Sequence, residues 1–106
     1  MSSLRTFQAS TVEYLEALVK STADLVGDPV QLSFDEQTWF DATWTTAPAN
    51  ALTPEDLRKG LTHAQVAQAL VGEANPLPAA GLSTVYVRIT DNPEAPVIVA
   101  GKVRIQ

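Results

Sequence analysis

Alternating side chains near the end of the chain restrict the possible folds most strongly. In residues 82–90, a valine or isoleucine occupies every second position from Val85, and polar or aromatic residues stand between them. A period of two in a β-branched run is typical of a strand with one buried face. A similar run follows in 97–106, after six turn-forming residues in 91–96. The pattern predicts an antiparallel hairpin.

Two earlier runs, 30–34 and 40–44, alternate in the same way, and roughly ten residues separate their starts. That spacing of short strands is typical of an all-β sandwich. Sorting the alternating positions by face predicts which residues form the core. They are Val30, Leu32, Phe34, Phe40, Trp44, Val71, Val85, Val87, Ile89, Val97, Val99 and Val103.

Two segments, 11–26 and 63–71, fit either a helix or a strand. In the first, Ser10 and Glu13 have the spacing of a helix-capping box, but an edge strand from Val12 to Val19 followed by a loop is equally possible. In the second, small and branched apolar residues recur at spacings that suit both structures. Periodicity leaves both alternatives open.

The segment 47–62 carries the clearest helix signal of the chain. Thr53 has the side chain of an N-cap, Pro54 suits the first helical position, and two acids follow at the positive end of the helix dipole. Gly60 ends the run after about one and a half turns. We predict one short helix in this insert.

Length and charge restrict the class of protein. A chain of 106 residues is expected to form one domain, spanning 1–106. Seven basic and twelve acidic residues leave a net charge of −5, the wrong sign for binding nucleic acid phosphates. No apolar run approaches the roughly 20 residues that span a bilayer. We expect neither a nucleic acid nor a membrane partner.

Residues with the chemistry of enzyme or metal sites are scarce. The chain has no cysteine, and its single histidine, His63, is not accompanied by a nucleophile in a G-x-S-x-G context. The acids of 28–41 lack the spacing of a calcium loop, and the five glycines form no phosphate-binding loop. We predict a protein that is not an enzyme, with no catalytic, cofactor-binding or metal-binding residues.

Exposed aromatic and charged side chains are the best candidates for contact with a partner. Trp39 has the opposite parity to Phe40 and is the tryptophan expected to be exposed. Two further candidates occupy outward positions of strand 82–90, and the loop after that strand suits recognition because loops on a rigid sandwich often carry it. The predicted contact residues are Trp39, Tyr86, Arg88, Asn92, Pro93 and Glu94.

The sequence resembles a family of small proteins encoded by tailed bacteriophages and prophages of actinobacteria. The resemblance is carried by segments 10–15, 27–34, 41–44 and 69–72 and by Trp39. It is closest in 86–97, where the motifs Val-Arg-Ile-Thr-Asp and Pro-Glu-Ala-Pro-Val occur, followed by 100–101. The sequence departs from the family pattern at Tyr86, where tryptophan is usual, and in 83–85, where a tyrosine is common. The insert 47–62 carries the extra helix-start signal. The resemblance implies an immunoglobulin-like antiparallel β-sandwich of six or seven strands. It also favours strands over helices in 12–19 and 64–71.

The same resemblance implies a structural component of the virion, located at the head or the head–tail junction. The expected partners are other virion proteins, such as capsid, portal, neck or tail subunits, in a symmetric homo-oligomer. The alternative is a receptor- or glycan-binding module of the tail or baseplate, with Trp39 and the outward loops forming the site.

Overall fold

A computed structural model describes residues 5–8, 12–72, 75–90 and 97–106 of the chain. These residues form seven strands and one short helix. In chain order they are β1 (Arg5–Phe7), β2 (Glu13–Ser21), β3 (Val30–Ser33), β4 (Phe40–Thr46), α1 (Pro54–Arg58), β5 (His63–Val71), β6 (Gly81–Ile89) and β7 (Val97–Ile105). The loop 91–96, predicted to connect the hairpin, lies outside the described residues.

The seven strands lie in the order β1-β7-β6-β3-β4-β5-β2. All neighbours are antiparallel except β1 and β7, which run parallel. The sequence β7-β6-β3-β4 and the pair β5-β2 match strands G-F-C-C′ and E-B of an immunoglobulin sandwich. Because β4 pairs with both β3 and β5, the two layers join in one sheet that wraps around the core. The predicted all-β, sandwich-like fold with a short helix in the insert is confirmed.

Both ambiguous segments are strands. β2 and β5 pair with each other along nine residues each, from Glu13 opposite Val71 to Ser21 opposite His63. Along β2, Leu15, Ala17 and Val19 are buried while the residues between them face outward. The hydrogen bonds and burial supplied by the partner strand decide the conformation, which the local pattern alone leaves undecided.

The core lies between the two layers and draws on every strand except β4, whose apolar side chains pack against its edge. The largest side chains that are completely enclosed are Phe7, Leu15, Leu32, Val71 and Val87. The predicted core residues Phe34, Phe40 and Trp44 are only partly buried. They lie at the rim, where the Phe34 and Phe40 ring centroids are 5.8 Å apart and the Trp44 indole N–H donates to the Asp28 carbonyl at 2.8 Å.

The prediction that Val97 and Val99 are core residues is wrong, because 45% and 62% of their surfaces are exposed. A β-bulge in β7 explains the error. The adjacent residues Val85 and Tyr86 pair with Gly101 and Val99, which are two positions apart, so β7 has one extra residue between the two pairs. An extra residue reverses the alternation of faces along the strand. Beyond the bulge Val103 and Ile105 point inward, whereas before it Val97 and Val99 point outward.

Helix α1 begins at Thr53, the predicted N-cap, which also forms a capping box with Asp56. The Asp56 backbone N–H donates to the Thr53 hydroxyl at 3.1 Å, and the Thr53 backbone N–H donates to the Asp56 carboxylate at 2.9 Å. That carboxylate also accepts from the Lys20 ammonium on β2 at 2.7 Å. The interaction therefore ties the insert to the sheet. Among the described residues, no helix has the length and hydrophobicity required to cross a membrane.

The Lys20–Asp56 pair predicts how stability depends on pH. Hydrogen bonds from Lys20 and from the Thr53 backbone lower the pKa of Asp56 to about 2, from about 3.9 in an unfolded chain. A lowered folded-state pKa stabilises the fold above the unfolded value, and this stabilisation disappears as the pH falls through the folded-state value. We expect D56N to be less stable than the wild type at neutral pH, and the difference to shrink between about pH 4 and pH 2.

Urea unfolding at a series of pH values measures that difference directly. E55Q is the matched control. The Glu55 side chain is 68% exposed, and its ion-pair partner Lys59 is 64% exposed. At neutral pH E55Q is expected to lose much less stability than D56N, because an exposed ion pair contributes little. A D56N difference that stays constant down to pH 2 contradicts the assignment.

Candidate contact surface

The outward side of β3, β4, β6 and β7 holds three of the predicted contact residues. We call it the open face. Paired residues of neighbouring strands lie on the same side, and Gln31 pairs with both Asp41 and Arg88, while Tyr86 pairs with Val99. The open face includes the side chains of Gln31, Trp39, Asp41, Tyr86, Arg88, Val97 and Val99.

Arg88 contacts two other side chains of the open face. Its guanidinium lies 4.3 Å from the centroid of the Trp39 ring, a cation–π contact. The same guanidinium donates two hydrogen bonds to the side-chain oxygen of Gln31, and the Gln31 amide donates to the Asp41 carboxylate at 3.1 Å. The face therefore presents an arginine that is held by a neighbour on β3 and by one just before β4.

The turn after β3 determines where Trp39 lies. The Asp35 carboxylate accepts from the backbone N–H of Gln37 at 2.8 Å and of Thr38 at 2.9 Å, and the buried Ser33 hydroxyl donates to it at 3.0 Å. These hydrogen bonds hold the pKa of Asp35 below its usual value. The bond from the Thr38 backbone has the largest effect, followed by the bond from the Gln37 backbone. The turn places Trp39 beside Arg88.

The half of the open face next to Arg88 is apolar. Val97 pairs with Arg88 and Val99 pairs with Tyr86, so two exposed valines lie beside the arginine and the tyrosine. Aromatic and arginine side chains carry a disproportionate share of the energy in protein interfaces, where apolar neighbours exclude water from them. This combination suits contact with a protein.

A groove with aromatic walls opens on the other side of Trp39. It has a volume of about 260 Å³ and carries three aromatic rings, two prolines and three polar side chains. Its lining consists of Phe34, Trp39, Phe40, Pro76 and Pro78, with Asp35, Thr38 and Asn75. Aromatic faces flanked by a carboxylate and an amide are suited to a sugar ring as well as to a peptide.

The structure describes three of the six predicted contact residues. The structure brings Trp39, Tyr86 and Arg88 onto one face, although Trp39 is half-buried because Arg88 covers part of its ring. Asn92, Pro93 and Glu94 lie outside the described residues. Sequence reasoning missed Val97 and Val99 as members of this face. The available signal was Gly101, because an isolated glycine in a strand pattern often marks a bulge.

His63 lies half-buried at the start of β5, beside an open cavity of about 410 Å³. Its Nδ1 atom is 2.8 Å from the Thr62 hydroxyl. In the same cavity the Asp24 carboxylate accepts from the Val26 backbone N–H and from Gln65, and these bonds lower the pKa of Asp24. Within the described part of the chain, no three histidine, cysteine or acidic side chains are grouped as metal ligands.

Comparison of the chain with protein-family models, with curated protein sequences and with solved structures found no match.

Proposed function

We propose that the chain is a non-enzymatic structural component of a tailed-phage virion, at the head or the head–tail junction, and acts through protein–protein contacts. The resemblance in segment 86–97 suggests the virion. The observation that supports contact as the mode of action is the open face itself. There, Tyr86 and an immobilised Arg88 lie beside the exposed Val97 and Val99.

The order already present in the open face favours tight contact. A flexible arginine loses side-chain entropy when it is fixed at an interface. In the free protein Arg88 is already held by Trp39 and by Gln31, so little further ordering is required. The valines add apolar area that becomes buried when a partner covers the face.

Repetition around a symmetric ring strengthens contacts that are weak one by one. A rigid all-β domain suits this role because its sheet faces and edges keep a fixed geometry relative to each other. The net charge of −5 favours a position away from packaged DNA, since like charges repel. The partners proposed are capsid, portal, neck or tail subunits, together with further copies of this chain.

Complementation of a phage that lacks the gene tests the proposal. The variant Y86E introduces a charge in the open face, and Y14E does the same at a tyrosine that is 51% exposed on the outward side of β2. We expect particles made with Y86E to contain much less of the chain, and particles made with Y14E to contain the normal amount.

A folding control and a second open-face variant distinguish loss of the contact from loss of the fold. Urea unfolding of each purified variant shows whether it is folded, and V97E provides a second open-face change at a residue that is 45% exposed. Normal incorporation of both folded open-face variants contradicts the proposed contact surface. Complete absence of the wild-type chain from purified particles contradicts the virion role.

A second candidate function is glycan binding, and the groove beside Trp39 favours it. Adding candidate host-surface glycans is expected to change the tryptophan fluorescence in a saturable way if a sugar stacks on Trp39. The change should vanish in W39A and persist in W44F, because Trp44 lies outside the groove. No saturable change with any glycan tested contradicts this candidate.

A further inference from the structure

The groove beside Trp39 carries one charge, and that charge is negative. Among the eight described residues that line it, Asp35 is the only one with an ionisable side chain. Backbone hydrogen bonds from Thr38 and Gln37 lower the pKa of Asp35, so its carboxylate is ionised at neutral pH. Those two bonds and the one from the Ser33 hydroxyl all end on the same oxygen, Oδ1. Oδ2 has no hydrogen-bond partner within the described residues, and Asp35 is exposed, so this oxygen is available to a ligand.

The other polar side chains of the groove also offer oxygen atoms that accept hydrogen bonds. The Asn75 side-chain nitrogen donates to the Leu70 carbonyl at 2.8 Å, which leaves the Asn75 side-chain oxygen to accept from a ligand. The Thr38 hydroxyl accepts as well as donates. A protonated amine has donors only and a positive charge, so it complements this set of oxygens.

The aromatic walls of the groove favour a cation for an independent reason. The Phe34 and Phe40 ring centroids are 5.8 Å apart with their planes at 42°, and Trp39 is the third ring of the lining. The faces of aromatic rings are negative and attract a cation that lies within about 6 Å of the centroid. Arg88 already makes such a contact with Trp39, but it is not among the described lining residues. The arginine therefore holds the ring without supplying a positive charge to the lining.

The size of the groove restricts the ligand to one ring. Its volume of about 260 Å³ lies just below the roughly 300 Å³ at which pockets for drug-sized ligands begin. We propose that the groove binds a sugar that carries a protonated amine, with the ammonium group at Asp35 and the sugar ring against Trp39. This inference rests on the second candidate function, glycan binding, and names the class of sugar that the groove selects.

Titration with glucosamine, glucose and N-acetylglucosamine tests the proposal. The three sugars share a ring, and only glucosamine is charged at about pH 6. In W44F, Trp39 is the only tryptophan, so its fluorescence reports on the groove. We expect a saturable change with glucosamine, at a Kd about five- to tenfold lower than for the other two sugars. The preference is expected to shrink at high salt, which screens the attraction to an exposed carboxylate. The wild type is titrated in parallel, so the sugar preference does not depend on the folding of a variant.

The variant D35N, made in the W44F background, tests the role of the charge. Asparagine keeps an oxygen that can accept from the Gln37 and Thr38 backbone N–H groups, so the turn is expected to persist. D35N should bind glucosamine no better than glucose. E36Q is the matched control, because Glu36 is exposed in the same turn but is not among the described lining residues. It should keep the preference for glucosamine, and circular dichroism shows whether each variant is folded.

The result that overturns the inference differs from those that overturn the proposed functions. Equal affinity for the three sugars, or an unchanged preference in folded D35N, overturns the inference and leaves glycan binding in place. The methyl ester of Nα-acetyl-lysine carries an ammonium group without a sugar ring. If it binds as tightly as glucosamine, the sugar assignment is wrong and a lysine side chain of a partner is the ligand. No saturable change with any sugar contradicts both the inference and glycan binding. The virion role is tested separately, by the incorporation of Y86E and Y14E into particles.

Discussion

Replacing Phe7 with alanine is expected to lower the free energy of unfolding by about 3–5 kcal/mol. Phe7 is completely buried although it belongs to a strand of three residues. It pairs with Ile105 of β7, and its carbonyl accepts from the Gln106 backbone N–H at 2.9 Å. Removing the ring leaves a cavity and also releases β1, so the loss is a large part of the roughly 5–15 kcal/mol that stabilises a domain.

Urea unfolding monitored by circular dichroism measures this effect, with F7L as the graded control. Leucine refills much of the cavity, so F7L is expected to lose clearly less than F7A. R5A tests the surface contacts of the same strand. Arg5 lies 4.8 Å from the Phe7 ring centroid and forms exposed ion pairs with Glu13 and Glu16, so its loss is expected to cost only about 1 kcal/mol. A loss below about 1 kcal/mol for F7A contradicts the docking of β1.

Replacing Leu32 with alanine is expected to cost about 2–5 kcal/mol. Leu32 is completely buried on β3, which lies between β6 and β4 in the sheet, and pairs with Phe40 on one side and Val87 on the other. The surrounding strands restrict relaxation around the cavity, which keeps the loss high.

The matched control for L32A is L57A on helix α1, where the leucine is 57% exposed. The control is expected to change the free energy of unfolding by about 0.5 kcal/mol or less. Equal losses for the two variants contradict the described core, because they imply that Leu32 is no better packed than a leucine on the surface.

Much of the fold follows from local chemistry. The alternation of apolar and polar residues predicts β3, β4, β6 and β7, because each strand has one buried face and one solvent-exposed face. The signals at Thr53 and Pro54 predict α1, since capping depends on residues within a single turn. These elements depend on interactions that are close in sequence or repeat with a fixed period.

Other elements depend on distant residues, so one sequence does not reveal them. β1 has only three residues, too few to show a period, and its partner lies at the other end of the chain. β2 is a strand because β5 supplies its hydrogen bonds. The bulge between the pairs of Val85 and Tyr86 reverses the faces of 97–99, which turned two expected core residues into surface residues.

The candidate contact surface was predictable in part for the same reasons. Tyr86 and Arg88 were placed outward by alternation, and the structure keeps them there. Trp39 follows a turn, where parity gives little information, and the Arg88 guanidinium over its ring is a contact across 49 positions of sequence. The sequence pattern did not predict that Val97 and Val99 belong to this face, because the bulge reverses their orientation.

Radical footprinting of purified particles against the free protein tests the central claim most directly. If the chain works in the virion through its open face, the oxidation of Tyr86 should fall strongly in the particle while that of Tyr14, on the outward side of β2, changes little. Equal oxidation of Tyr86 in both states, or particles without the chain, would contradict the claim.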